Sequence, residues 1–484
     1  MKKPWLLIVL MVTSGTLQAQ MNGLDLLKKY RIPETRYGFG TLEFSSNLNG
    51  SYYNTETPVE ERESMSQYEN YNFSIQPEYE YVYDSDPLQW DVFGYFEFEL
   101  IGQENTYQNK SPFYTDKKVS SESYRWIKTP TLYGRASYRT YLSDEAPWSV
   151  YTYVSGNQMV SHYLRRDWED PDNRKRFKSN QEYTRDYRQS TNVDVLFSYG
   201  RIRNVTPVIN AIRFGERLQK SGAITSPLTD ETVNNLSAIF ARIPYYNSFY
   251  ERPEKLIRQD VEDALAQTDG YGKASSFQTE YAFESLSEMR FIRQEGWLVE
   301  AGFGHRYNKT DYDEYNSWGH YTDRTEESVV AVVLKASVFE SLTLNSGFFV
   351  NGGFSGGPQI STLSSLKQQY ASQIKAGLFY EWFDRLLVSG SHEITYVHRN
   401  VEAGRPTYFW NHHLTASGNY FLEDQVALTL SGYYQFFIGS QPGPYDNLWR
   451  QRNGEYSLSA GLTWYFGSTE AVGLRPWDAT ELNP

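Results

Sequence analysis

The stretch Tyr456-Ser-Leu-Ser-Ala-Gly-Leu-Thr-Trp-Tyr-Phe466 decides the fold. Side chains of an extended chain alternate between two faces. Tyr456, Leu458, Ala460, Leu462, Trp464 and Phe466 therefore share one face, and Ser457, Ser459, Gly461, Thr463 and Tyr465 share the other. The first face is apolar and carries aromatics at its ends; the second is mostly small and polar. Such a strand suits a wall with hydrocarbon on one side and polar surroundings on the other.

Working outward from it, the same alternation recurs along the chain and predicts about 14 strands. The expected cores are 40–54, 69–83, 88–103, 131–143, 148–160, 191–203, 297–308, 324–338, 342–353, 370–383, 386–399, 408–421, 426–440 and 456–466. Five connections are short: Asp84–Pro87, Ser143–Pro147, Phe339–Ser341, Phe383–Arg385 and Leu422–Gln425. The links at 55–68, 104–130, 161–190, 309–323, 354–369 and 441–455 are long and polar, and 400–407 is brief. Short turns on one side and long loops on the other are the habit of barrels that cross a membrane. No repeat of fixed period favours a propeller.

The amino terminus agrees with an exported chain. Lys2 and Lys3 precede the apolar run Leu6–Val12, and Leu17-Gln18-Ala19 ends in a small residue suited to cleavage. Residues 1–19 are expected to be a signal peptide, with no Cys after it for lipid attachment. Together with the closing strand, in which Gly461 precedes a terminal aromatic, the chain resembles Gram-negative outer-membrane β-barrel proteins as a broad class. The resemblance implies an all-β transmembrane antiparallel β-barrel in the cell outer membrane, contacting outer-membrane lipid and lipopolysaccharide. It carries over no functional residues.

Composition narrows the chemistry. There are 41 Tyr and 12 Trp, residue types that collect where a protein crosses the lipid–water interface. A mean hydropathy of -0.63 is compatible with a barrel, since only alternate residues need be apolar. Cleavage would remove two Lys and no acids, leaving 44 bases against 59 acids, a formal charge of -15 that disfavours nucleic acid. With no Cys there are no disulfides and no thiolate metal sites.

One connection on the turn side breaks the pattern. From 204 to 294 the sequence predicts a helical periplasmic insertion between strands 6 and 7, dividing the barrel into 20–203 and 295–466, with a periplasmic tail at 467–484. Thr206-Pro207 opens a first helix that Gly222 ends; Thr229 caps a second with Val233, Leu236 and Phe240 on one face. A third starts at Pro253 with Ile257, Val261, Ala264 and Leu265 at helical spacing. A fourth starts near Ser275, whose capping box is completed by Gln278, and runs towards Met289. The insertion can cover the barrel, or dock a periplasmic protein partner at residues 204–290 through Tyr245, Tyr246, Phe249 and Tyr250. Leu24, Leu26 and Leu27 suggest a short amphipathic turn against the barrel floor.

Assigning apolar faces to lipid places Glu43, Glu78, Glu80, Asp91, Glu97, Glu99, Arg135 and Arg139 in the lumen, beside Tyr133, Ser137 and Tyr141. They can brace the wall as ion pairs or set up a field that selects polar solutes. Arg165, Arg166, Arg174, Lys175, Arg176 and Lys178 form an expected extracellular basic loop, either solvated or holding lipopolysaccharide phosphates. A hydrolase would need a triad. His392 and His412 fall outward, while His413, Asn411, Ser417, Ser391 and Glu393 fall inward. No catalytic, metal or cofactor site is expected. The leading function is passage or binding of a polar solute through a charged, narrow or gated lumen. The alternative is a non-transporting scaffold of an envelope secretion or polymer-export assembly, and a lipid or glycan-ester hydrolase ranks below both.

Overall fold

The computed structural model describes residues 24–464 except 58–61, 111–118, 144, 170–179, 267, 269–270, 288–290, 317–318, 362–365, 383–384, 402–405, 424–425 and 443–447. The leader at 1–19 and the tail at 467–484 lie outside the described residues.

Fourteen antiparallel strands form one sheet in sequence order. They are β1 Thr35–Thr57, β2 Arg62–Asp84, β3 Leu88–Lys110, β4 Val119–Tyr141, β5 Trp148–Glu169, β6 Asn180–Asn204 and β7 Gln294–Asn316. Then come β8 Gly319–Thr343, β9 Ser346–Pro358, β10 Leu366–Trp382, β11 Leu386–Val401, β12 Thr407–Glu423, β13 Val426–Pro442 and β14 Leu448–Trp464. The sheet is not closed: among the described residues β1 pairs only with β2, and β14 only with β13. The barrel expected from sequence is here an open 14-stranded sheet.

Two further expectations are corrected. Most of the long links are continuations of strands, so 104–110 belongs to β3 and 119–130 to β4. Beyond the apolar belt polar residues interrupt both faces, so these stretches lack the regular alternation that marks a strand, yet the hairpin ladder continues through them. The turn placed at Phe339–Ser341 falls later, between Thr343 and Ser346.

The outer face carries an exposed apolar belt on every strand. Leu42, Phe73, Phe96, Leu132, Val154, Phe197, Phe303, Leu334, Val350, Leu378, Val388, Leu414, Leu430 and Leu458 all belong to it. Towards the short turns it ends in aromatics, with ring centroids 4.8 Å apart for Tyr81–Trp90, 4.5 Å for Trp148–Tyr199 and 5.3 Å for Tyr199–Trp297. The belt does not follow the ladder. Leu48 and Tyr183 lie on one row of paired residues, through Tyr71, Gly102, Trp126 and Leu164. Leu48 is four residues from Phe44 in the belt, whereas Tyr183 is twelve from Val195. That offset is roughly 26 Å along a strand over about 24 Å of sheet, a strand tilt of about 45° and close to the tilt at which a sheet closes into a barrel.

Between β6 and β7 the chain makes α1 Thr206–Lys220, α2 Asp230–Ala241, α3 Ile243–Phe249, α4 Pro253–Leu265 and α5 Ser276–Ser287. Thr229 Oγ1 accepts from the Thr232 amide to start α2. Ser275 and Gln278 bond reciprocally to start α5. Gly222, at φ 76°, ends the turn after α1. The helices share a core of Phe214, Leu218, Leu236, Phe240, Val261 and Leu265. Leu27 and Tyr30, from and just after the helical turn 24–29, join that core, as does Leu344 of the β8–β9 turn. The insertion is therefore packed onto the short-turn end of the sheet. Thr206 lies inside α1 rather than capping it, and its hydroxyl accepts from the Arg293 amide at 2.8 Å.

Candidate functional site: the charged inner face

Cross-strand pairs share a face, so the register shows which residues meet. Glu43 pairs with Gln76, Glu78 with Tyr95, Glu80 with Phe93 and Ser74 with Glu99. Glu97 pairs with Thr131, Asp91 with Ser137, and Arg135 with Phe93. Gln89 pairs with Arg139. All eight charged residues expected inside thus lie on one face. The structure does not bring them all together. Asp91 lies 3.7 Å from Arg135, whose guanidinium covers the Phe93 ring at 5.0 Å. Asn72 donates to Glu99 at 3.3 Å. Glu43 is exposed, and Glu78, Glu80 and Glu97 are half-buried near the free edge of the sheet.

Arg139 reaches further. Its Nη2 donates to Glu300 Oε1 at 2.7 Å, spanning from β4 over β5 and β6 to β7. Ser198 Oγ on β6 donates to the same oxygen at 3.1 Å, and the guanidinium lies 4.6 Å over Tyr151 of β5. Three strand spacings are roughly 14 Å on a flat sheet, so this contact requires the inner face to curl. Next to it Asp194 of β6 takes Lys335 at 3.3 Å and Arg306 at 3.8 Å. Glu393 accepts from Gln373 at 2.6 Å and faces Lys375 at 3.8 Å. Sequence reasoning named Glu393 only as a triad candidate and missed Glu300, Asp194, Arg306, Lys335 and Lys375. The available signal was a single charge within each apolar run, as in Val193-Asp194-Val195 and Leu334-Lys335-Ala336.

The other half of the face is rich in hydroxyls, with fewer charges. Hydroxyls pair at 2.7 Å between Ser389 and Ser417, Ser391 and Thr415, and Ser431 and Ser459. His413 pairs with Glu393 across the ladder and its ring lies 5.7 Å from Tyr433. Asn411 accepts from Gln435 at 3.0 Å. Ser391 and Ser417, expected on the same face as His413, thus each bond another hydroxyl. His392 and His412 stack at 5.7 Å on the outer face. Among the described residues no group of three metal-ligating side chains occurs. Arg165 and Arg166 belong to β5 rather than to a loop; Arg174, Lys175, Arg176 and Lys178 lie outside the described residues.

Two arginine clamps hold the short-turn end. Asp86, in the β2–β3 turn, meets Arg31 and Arg203 at 3.1 Å, Arg201 at 3.2 Å and the Ile32 amide at 3.2 Å. Burial pushes its carboxyl up, but the Arg203 hydrogen bond and charge, with Ile32 and Arg201, outweigh that and hold it below its ordinary value. On the opposite strands Arg213 of α1 pairs with Glu381 and donates to Leu344 O at 3.1 Å. Arg293 donates to Leu344 O at 3.1 Å and to Thr343 O and Ser346 O at 2.8 Å. Burial, tempered by Glu381, pulls Arg293 down to about 10. Burial and a hydrogen bond to Asp260 push Tyr246 up to about 12.

No protein-family model matches the chain, and no curated protein matches it in sequence. Among solved structures it is similar to the translocator domain of autotransporter NalP from Neisseria meningitidis, at 9% identity and TM-score 0.29 over 83% of this chain and 91% of that one. It is also similar to the ferric yersiniabactin uptake receptor FyuA from Yersinia pestis, at 9% identity and TM-score 0.31 over 90% and 73%. A third is the P. putida toluene transporter TodX, at 8% identity and TM-score 0.26 over 89% and 90%. All are outer-membrane β-barrels in outline, and similarity this low transfers neither substrate nor mechanism.

Proposed function

We propose that this chain is an outer-membrane β-barrel that passes or binds a polar solute along its charged inner face, beneath a periplasmic helical cover. The carrying observation is the division between faces: an exposed apolar belt outside, and buried ion pairs such as Arg139–Glu300 and Asp194–Lys335 inside. Hydrocarbon would cover the first and water would fill or fringe the second.

The reading includes closure of β1 on β14. The row of paired residues climbs about eight residues over five strands relative to the belt, so a row through Ala460 of β14 meets β1 between Phe44 and Ser46. Two same-face registers fit, with Ser45 opposite Gly461 or opposite Ser459. The second joins two hydroxyl pairs, Ser431–Ser459 and Ser45–Ser74, each at 2.7 Å. A continuous inner hydroxyl row then runs from β11 through the seam to β2.

Single-channel conductance of the refolded protein in a planar bilayer tests the function, with residues 204–290 present and deleted. Ion flow in the intact protein, with selectivity altered by Glu97→Lys and Glu99→Lys, is expected of an open path. Flow only after deletion makes the helices a plug. Silence in both removes the transport reading. A scaffold is the second reading, favoured by Phe277 and Phe249, exposed on the helices. Affinity purification that loses no partner on deleting 204–290 sinks it.

A further inference from the structure

Above the belt, the outer face of β4–β8 carries two adjacent rows of directly opposed residues. One is Trp126, Leu164, Tyr183, Tyr315 and His320. The other, two residues nearer the belt, is Lys128, His162, Arg185 and Asp313. Here Lys128 and Arg185 flank His162 in three successive opposed positions, and the one carboxylate at the row's end, Asp313, also lies 3.8 Å from His320. Lys128 and Arg185 are exposed, as are Trp126, Tyr183 and Tyr315. Tyr183 is held in place by His162, its hydroxyl 2.8 Å from Nδ1. A basic row beside an exposed aromatic row is a surface that an anion with flat apolar faces would complete.

Geometry selects the kind of anion. The rows run square to strands that tilt, so they climb away from the belt. Lys128 adjoins Pro130 and Leu132 at the belt's rim, whereas Arg185 is eight residues from Val193, roughly 20 Å above it. A phospholipid phosphate stays at the rim and would reach one end only. A headgroup built of phosphorylated sugars extends far enough to meet both ends, and the carbon-bound hydrogens of sugar rings pack against aromatic faces. We propose that this double row binds the phosphorylated saccharide headgroup of an outer-leaflet glycolipid, with Lys128 and Arg185 on phosphates and Trp126, Tyr183 and Tyr315 against sugar rings. The proposal rests on the outer-membrane reading and deepens it by naming the residues.

The test is titration of the refolded full chain in detergent micelles with four probes: lipopolysaccharide, phosphatase-treated lipopolysaccharide, phosphatidylglycerol and inorganic phosphate. Intact lipopolysaccharide is expected to bind at least about tenfold more tightly than the other three, the equivalent of one charge-assisted contact. Lys128→Gln with Arg185→Gln should bring it down to the level of the treated form, and Trp126→Ala with Tyr183→Ala should weaken both forms. Phosphatidylglycerol binding as tightly as lipopolysaccharide, or variants that bind like the wild type, overturns the proposal. Failure of the outer-membrane reading shows separately, as failure of the same preparation to insert into vesicles.

Discussion

On β6, Phe197 and Ser198 are chain neighbours with opposite surroundings: Phe197 is 67% exposed and Ser198 1%. Asp194 on the same inner face is 2% exposed, while Phe303 on the neighbouring outer face is 68% exposed. A water-soluble sheet would reverse these positions, because burying a charge is costly and burying a phenyl ring is favourable. The inversion is what the proposed outer-membrane reading expects of a face turned to hydrocarbon. Inside, the charges neutralise one another, with curvature bringing strands three apart into contact.

The comparison can be broken first from the inside. Glu300→Ala leaves Arg139 buried without its carboxylate, an expected loss of about 3–5 kcal/mol. Pairing it with Arg139→Met should recover much of that. Denaturant unfolding of the refolded protein reads both, and a cost near zero would mean the inner face is open to bulk water. From the outside, Phe303→Arg should cost about 2–4 kcal/mol when unfolding is measured in vesicles. In a water-soluble protein an exposed position like this one would tolerate the change within about 0.5 kcal/mol, so a small effect returns the outer face to water.

A smaller effect is expected at the rim, where polar contacts replace the division of faces. Asp86 has a folded value below its unfolded one. Its stabilisation is therefore complete above the ordinary carboxylate value of about 3.9 and is lost as pH falls beneath that towards the folded value. Asp86→Asn should lower the melting temperature at neutral pH, with the gap to wild type closing in acid. A gap that widened on acidification would contradict the clamp.

Much of this was legible in the sequence for a physical reason. A face turned to hydrocarbon must be apolar at every second residue, and Leu428, Leu430, Leu458 and Leu462 announce it. Capping groups such as Ser275 with Gln278 are equally local. What was not legible depended on distance or on the absence of contrast. Glu104 to Lys110 has no run of alternating apolar residues, and the ladder continues through it on both sides. The seven residues of α3 are too few to show helical spacing, and packing against β1 and α4 holds them. Arg139 and Glu300 are 161 residues apart and meet only because the sheet curls. Arg165 and Arg166 read as loop residues because they continue a strand whose pattern has become polar.

Everything inside the sheet depends on the seam, and the absence of native Cys makes the seam directly measurable. Ser45→Cys combined with Ser459→Cys, expressed in cells and oxidised in isolated outer membranes, should form an intramolecular disulfide, since opposed residues on paired strands lie within bridging distance. Bridging at this pair, or at Ser45 with Gly461→Cys one step along the same face, would establish a closed barrel with a charged interior. Cysteines that stay free in folded, membrane-inserted protein at both registers would contradict it.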